Sequence, residues 1–352
     1  MKRKRNFEVM RTIAMYFIVV YHCLTHGVGG NYGFTINNPI AFTNIVFSDF
    51  LLAISSVAVN LYVMTSGYFL SDIDFKMSRI IRTWVQTCFY SFSITVLFMS
   101  FQTTPFSVVA LGKSFFPIST DAYWFVTQYI GLLILSPFLT ILVRELSYSQ
   151  FVGLLIGGAF LCLAIIPDFP LAKRFHVSHG NSVWSFAYLY LLSGFIRLYI
   201  KKIPKIKLLM AVIFLIILMM VVEMFLGTHN DFVRLYWLNY NGLPFILSVV
   251  AFVFVRDSKV PDNRFWNTLV SLAPYTFGVY LVHDHLLVRE WLWRAIPLSS
   301  QCEQLIYSVV VIGLCLLIFL VGAFVDWIRK KFFAFLNFEK YIVYFDKCSF
   351  YK

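Results

Sequence analysis

Four ionisable residues near the start of the chain, Glu8, Arg11, His22 and His26, stand at spacings that a helix would gather onto one face. At about 100° per residue, the eleven-residue step from Arg11 to His22 closes nearly three turns. Glu8 lies one turn before Arg11, close enough to pair with it, and His26 lies one turn after His22. Histidine titrates near neutrality and can act as general base on a hydroxyl. An arginine can hold an anionic group of a donor. Eleven residues rise about 16 Å along a helix, roughly half of a hydrocarbon core. The layout suits a donor entering from one face and an acceptor waiting on the other. Plainer duties also fit: Glu8 and Arg11 could snorkel to one membrane face, and His22 and His26 could be interfacial at the other. Four such residues on one stripe are harder to explain that way than any one of them.

Other residues join as candidates. In Phe75-Lys76-Met77-Ser78-Arg79-Ile80-Ile81-Arg82, the two arginines are three apart and share a helical face. Guanidinium forks bind phosphate bidentately, so Arg79 and Arg82, with Lys76, suit the phosphates of coenzyme A. A positive-inside anchor or a contact to anionic lipid explains them too. Trp124, beside Tyr123, is a candidate stacking platform for a sugar or an aromatic-belt residue. Gln128, one turn on, could hydrogen-bond a glycan or another helix. His283, followed by Asp284 and His285, could line an acceptor site, pair with an acid or pack at the interface. Asn60 reads as interhelical glue. Glu223, deep in an apolar run, has no evident role. No metal is expected, because His22 and His26 lack a clear third and fourth ligand.

The elements that must position these residues are membrane helices. The 352-residue chain is 60% hydrophobic, 19% aromatic and only 13% charged. Soluble domains are about 45–50% apolar and about 25% charged. Lipid is the solvent that makes such a composition sensible. Apolar runs cover approximately 8–26, 48–69, 83–101, 123–143, 150–166, 183–200, 207–227, 239–255, 268–288 and 303–326. The fold expected is therefore all-α, a polytopic transmembrane helical bundle of about ten helices. Residues 1–352 read as a single transmembrane domain, with a short cytoplasmic tail from about 328. With the N-terminus inside, most of the 29 basic residues fall on the side that the positive-inside rule calls cytoplasmic. Both termini are then cytoplasmic in a multi-pass protein of the cell membrane. This pattern accounts for the net charge of +12 without nucleic acid. The scattered cysteines, Cys23, Cys88, Cys162, Cys302, Cys315 and Cys348, show no metal or redox spacing. Glu8, Arg11 and His22 interrupt the first apolar run, so it reads as a retained helix and not a cleaved signal.

The first helix, from Arg5-Asn6-Phe7-Glu8-Val9-Met10-Arg11 to Tyr21-His22, resembles the start of the acyltransferase-3 family of membrane acyltransferases. That family's signature is an arginine, ten residues, then a histidine, which Arg11 and His22 match. Its Arg-x-x-Arg motif after the second helix is matched by Arg79 and Arg82. Val63-Met64-Thr65-Ser66-Gly67-Tyr68-Phe69, Tyr123-Trp124-Phe125 with Ser136-Pro137, and Phe277-Gly278-Val279-Tyr280-Leu281-Val282-His283 follow in the expected order. The family often has an aspartate where this chain has Glu8, which keeps the charge. Tyr21 stands where relatives often have a further histidine. The resemblance implies transfer of an acyl group, usually acetyl from acetyl-CoA, to a hydroxyl of an extracytoplasmic or lipid-linked glycan. It implies His22 as the essential base and Arg79 and Arg82 near the CoA. The expected catalytic set is His22, Arg11 and Glu8, with His26, Trp124, Gln128 and His283 toward the acceptor. A secondary transporter or lipid-linked glycan flippase is the rival reading. It fits less well because the charges crowd into one helix and no paired repeats are visible.

Overall fold

The structure is a computed structural model that describes residues 4–28, 38–162, 180–224, 242–301 and 303–348. Most of the two stretches Asn31 to Pro39 and Pro167 to Asn181, which connect apolar runs, lies outside the described residues, as do Lys173, Arg174, Arg234 and Cys302. The protein is all-α, with no strand among the described residues.

Helix α1 runs from Arg5 to His22 and widens into a π-helical turn over Cys23–Gly27. Its first turn carries Glu8 and its last His22, each sign matching the helix dipole when charged. Helices α2 (Pro39–Ser55) and α3 (Ala58–Leu70) share the second expected span, which begins earlier than the sequence indicates and is interrupted at Ser56 and Val57. Then come α4 (Met77–Ser100), the short α5 (Val108–Ser114), α6 (Trp124–Glu145) and α7 (Tyr148–Cys162). Next are α8 (Val183–Tyr199), α9 (Lys205–Val222) and α10 (Leu243–Arg256). The ninth expected span, 268–288, is not one helix. It is built from α11 (Arg264–Leu272), a 3-10 turn over Ala273–Tyr275, α12 (Thr276–His283) and α13 (Leu286–Ala295). Pro274 forbids a continuous hydrogen-bond ladder at the first break. At the second, His285 leaves helical geometry and its ring nitrogen accepts from the Leu287 amide at 3.2 Å, capping α13. Helix α14 (Tyr307–Phe335) passes well beyond residue 328, and α15 (Phe338–Tyr344) follows, so the expected tail is helical.

Among the described residues, five segments are long and apolar enough to cross a membrane: Arg5–Gly27, Pro39–Leu70, Trp124–Glu145, Lys205–Val222 and Tyr307–Phe335. Tyr148–Cys162 and Leu243–Arg256 are shorter apolar helices.

The chain forms two compact units. The first comprises Met1–Ile18, Val46–Asp74 and Ile134–Ala273. Phe7 is buried there against Tyr68, Phe69 and Phe252, with ring centroids 4.8–5.7 Å away. Asn60 donates to the Ser248 hydroxyl at 3.0 Å, the interhelical bond its type and position lead one to expect. Gly67 lets α3 meet α8 at backbone distance: a Cβ there would lie 2.6 Å from Tyr190 Cα. Glu223 is half-buried at the C-cap of α9, not deep in a helix.

The second unit comprises Val19–Ile45, Phe75–Leu133 and Pro274–Lys352. Its centre is Asp326 on α14, which has no exposed surface. The carboxylate accepts from Arg329, from Gln86 at 3.0 Å and from the Tyr90 hydroxyl at 2.9 Å. Both carboxylate oxygens are thereby hydrogen-bonded and a countercharge is supplied, which is what a buried carboxylate requires. Gly278 on α12 packs directly on the Asp326 side chain, in space that a Cβ would fill. Tyr123, also buried, donates to the Leu281 carbonyl at 2.9 Å and anchors α12 further.

Candidate active site

Helix α12 presents His283 at its last turn, and the break after it turns Asp284 out as the C-cap. Helix α1 presents His22 at its own last turn. In the second unit these ends meet. His22 Nδ1 lies 3.0 Å from His283 Nε2 and 3.5 Å from Asp284 Oδ1. His283 Nδ1 lies 2.6 Å from the Val279 carbonyl oxygen. Arg289, one turn into α13, reaches the same Asp284 oxygen at 3.3 Å. The His22 side chain is only 12% exposed and that of Asp284 4%, whereas His26 is exposed with its ring 5.4 Å from that of His22. The π turn that carries His26 ends at Gly27, where a Cβ would lie 2.7 Å from the Trp293 ring. The bare glycine thus lets α13, with Arg289, approach the histidines. π turns recur at functional sites because they re-aim side chains at the end of an otherwise regular helix.

The candidates divide as follows. His22, His26 and His283 come together. Glu8 and Arg11 belong to the first unit, where their side chains pair at 3.7 Å and the Arg11 carbonyl accepts from the Tyr62 hydroxyl at 2.7 Å. Trp124 and Gln128 begin α6 and are half-buried. Trp124 packs edge-on against Phe125, 6.1 Å between centroids. Its neighbour Tyr123 approaches the histidine segment, with its ring 5.9 Å from that of His285.

Arg79 and Arg82 sit in the first two turns of α4. Arg82 is engaged: its guanidinium makes a bidentate pair with Glu339 of α15, at 3.0 and 2.7 Å. The bond holds the Glu339 carboxyl below its ordinary pKa, chiefly through the hydrogen bonds Arg82 donates. Ser78 in the same turn donates its amide and its hydroxyl to the two Asp346 oxygens, both at 2.8 Å. Two carboxylates from the end of the chain thus occupy a helix N-terminus and a guanidinium, the two features that bind phosphate best.

The sequence overlooked Arg289 as the cation on Asp284, and Glu339 and Asp346 as partners of the Arg-x-x-Arg segment. Glu339 and Asp346 lie more than 200 residues from their partners on α4, and no spacing rule reaches that far. Arg289 is only five residues from Asp284, but the helix break between them hides the pairing from a helical-period reading. For a cation, His22, His26 and Asp284 are the described residues whose donor atoms could gather, within 4.8 Å of one another. Ligands about 2.0–2.1 Å from a shared tetrahedral ion would stand closer, and Arg289 opposes a second positive charge. The arrangement is that of a hydrogen-bonded histidine pair.

Residues 4–323 match the family model of the acyltransferase-3 acyltransferase domain. The chain belongs to the acyltransferase-3 family. No curated protein and no solved structure matches it. As an acyltransferase of a membrane family, the protein needs a base for its acceptor and a docking surface for its donor. His22 is set against both a second histidine and a carboxylate.

Proposed function

We propose that this acyltransferase moves an acyl group, acetyl in the simplest case, from acyl-CoA at the cytoplasmic side to a hydroxyl of a cell-envelope or exported polysaccharide or its lipid-linked precursor. The observation that carries this is the placement of His22. It is a signature residue of an acyltransferase family, held almost out of solvent, with His283 and Asp284 on one ring nitrogen. The other ring nitrogen is then available to a hydroxyl.

Arg79, Arg82 and Lys76 receive the phosphates of the donor, and Arg11, paired with Glu8, receives a further anionic or carbonyl group of it. His26, Trp124 and Gln128 serve the glycan. His22 takes the proton of the attacking hydroxyl. That oxygen bonds to the thioester carbonyl carbon, the carbon–sulfur bond breaks, and the departing thiolate takes the proton back. A general base of this kind contributes about 10²–10⁴-fold. The protein spans the cell membrane several times with both termini cytoplasmic, the orientation its basic residues favour.

The test is transfer of label from acetyl-CoA in membranes that contain the protein, with His22→Ala beside it. Label in a glycan or lipid fraction that depends on His22 is the expected result. Equal labelling by the variant would end the mechanism. Movement of a lipid-linked glycan across the membrane without labelling would favour the transporter reading.

A further inference from the structure

The hydrogen-bond partners around His22 fix more than its position. A carbonyl oxygen only accepts, so His283 Nδ1, 2.6 Å from the Val279 oxygen, carries a proton. In the neutral ring, His283 Nε2 is then a bare acceptor. That acceptor faces His22 Nδ1 at 3.0 Å. The other neighbour of His22 Nδ1 is a carboxylate oxygen of Asp284 at 3.5 Å, itself held by Arg289. Both neighbours accept, so the nitrogen between them must donate. In neutral His22 the lone pair is therefore on Nε2.

We propose that His283 is a positioning residue, ordered by the Val279 carbonyl, that holds His22 in its Nδ1–H tautomer and so selects Nε2 as the atom that takes the acceptor's proton. Asp284 has a second role. Its 3.5 Å separation is beyond a good hydrogen bond, but the carboxylate faces the positive charge that His22 gains when Nε2 is protonated. Among the described residues, other charged or titratable groups around the ring are Tyr21, His26, His283 and Arg289. This inference rests on His22 being the base, and it reassigns His283. Both ring nitrogens of His283 are used within the protein, so it orients the base and leaves the sugar to other residues.

The sequence analogue is a base whose second nitrogen is held by an acceptor, the logic by which the third member of a catalytic triad sets a tautomer. Here a neutral histidine supplies most of that hold. A neutral partner leaves His22 less basic than a carboxylate at the same distance would.

Two variants separate position from packing. In His283→Gln, the amide oxygen can accept from His22 and the amide nitrogen can donate to Val279. In His283→Leu, volume is kept and the acceptor is lost. With full-length protein in nanodiscs, the glutamine variant is expected to keep kcat within about threefold. The leucine variant is expected to lose about 10²-fold, the scale of a misdirected general base, with KM for acetyl-CoA unchanged. The ring ¹⁵N shifts of His22, assigned by their loss in His22→Ala, read the tautomer without turnover. They should show Nδ1 protonated and Nε2 bare in the wild type and His283→Gln, and a mixture in His283→Leu. A protonated Nε2 in the wild type, equal kcat in the two variants, or a stoichiometric divalent ion on the purified protein would overturn the assignment. If no transfer is seen but Nδ1 is protonated, the functional reading fails and the tautomer assignment stands.

Discussion

At the scale of single residues, the histidine pair depends on a carboxylate that the break between α12 and α13 exposes to it. Asp284 is 4% exposed and shared between His22 and Arg289. Replacing it by asparagine keeps the shape and removes the charge that the imidazolium faces. Asp284→Asn is expected to lower kcat for acyl transfer by about tenfold to a hundredfold, within the range of a general base's contribution, and to leave KM for acyl-CoA near its wild-type value. A changed KM with unaltered kcat would move Asp284 to donor binding. His22, His26 and His283 were all visible in the sequence as ionisable groups in apolar surroundings, where such groups are expensive. Their division of labour was not visible, because it depends on which nitrogen faces which oxygen.

Among the elements, the N-terminal turns of α4 and the helix α15 make a charge-matched contact. Arg82 and Glu339 are exposed in good part, 43% and 64% by side chain, so their pair is worth at most about 1 kcal/mol. If donor phosphates need Arg82, Glu339 competes with them. Glu339→Gln should then lower the apparent KM for acyl-CoA by no more than about fivefold, the equivalent of that energy. An unchanged or higher KM would place the donor elsewhere. The same pair responds to pH with a defined sign. Because the folded carboxyl sits below its ordinary pKa, its contribution is fully present above the unfolded value and disappears as pH falls through the folded one. Amide-exchange protection of α15 should therefore weaken on acidification below the usual glutamate range, and that loss should be absent in Glu339→Gln. A second contact between elements is steric. A Cβ at Gly278 would collide with the buried Asp326 side chain, so Gly278→Ala should lower stability by about 1–3 kcal/mol, as overpacking does. Thermal unfolding in detergent measures it.

On the scale of the whole molecule, the exposed surface is that of a protein solvated by lipid. Helix α9 leaves Ile206, Met210, Ile213, Phe214 and Ile217 exposed, and α14 leaves Val309, Ile312, Leu316, Leu320 and Phe324. In water, such patches would drive association. In a bilayer they face solvent of their own kind. The basic residues then set orientation. A cytoplasm-dependent reporter fused after Lys352 should be active and an export-dependent one silent; the reverse would invert the topology.

Composition and apolar run length depend on sequence alone, which is why the all-α membrane class was legible before any coordinates. The turns of α1 were legible for the same reason: Glu8, Arg11, His22 and His26 are neighbours by helical period, and the Glu8–Arg11 and His22–His26 contacts occur as the period requires. The Arg11–His22 and Arg79–Arg82 signatures sufficed to suggest the family that residues 4–323 confirm. The broken ninth span was less legible. Its apolar count reads as one helix, and only the cap geometry at Asp284 and His285 shows the second break. Contacts between residues far apart in the chain were beyond the sequence altogether. His22 with His283, Asp284 with His22, Gln86 with Asp326 and Arg82 with Glu339 are brought together by helix packing. Packing is set by the summed shapes of many side chains at once, and no local spacing encodes it.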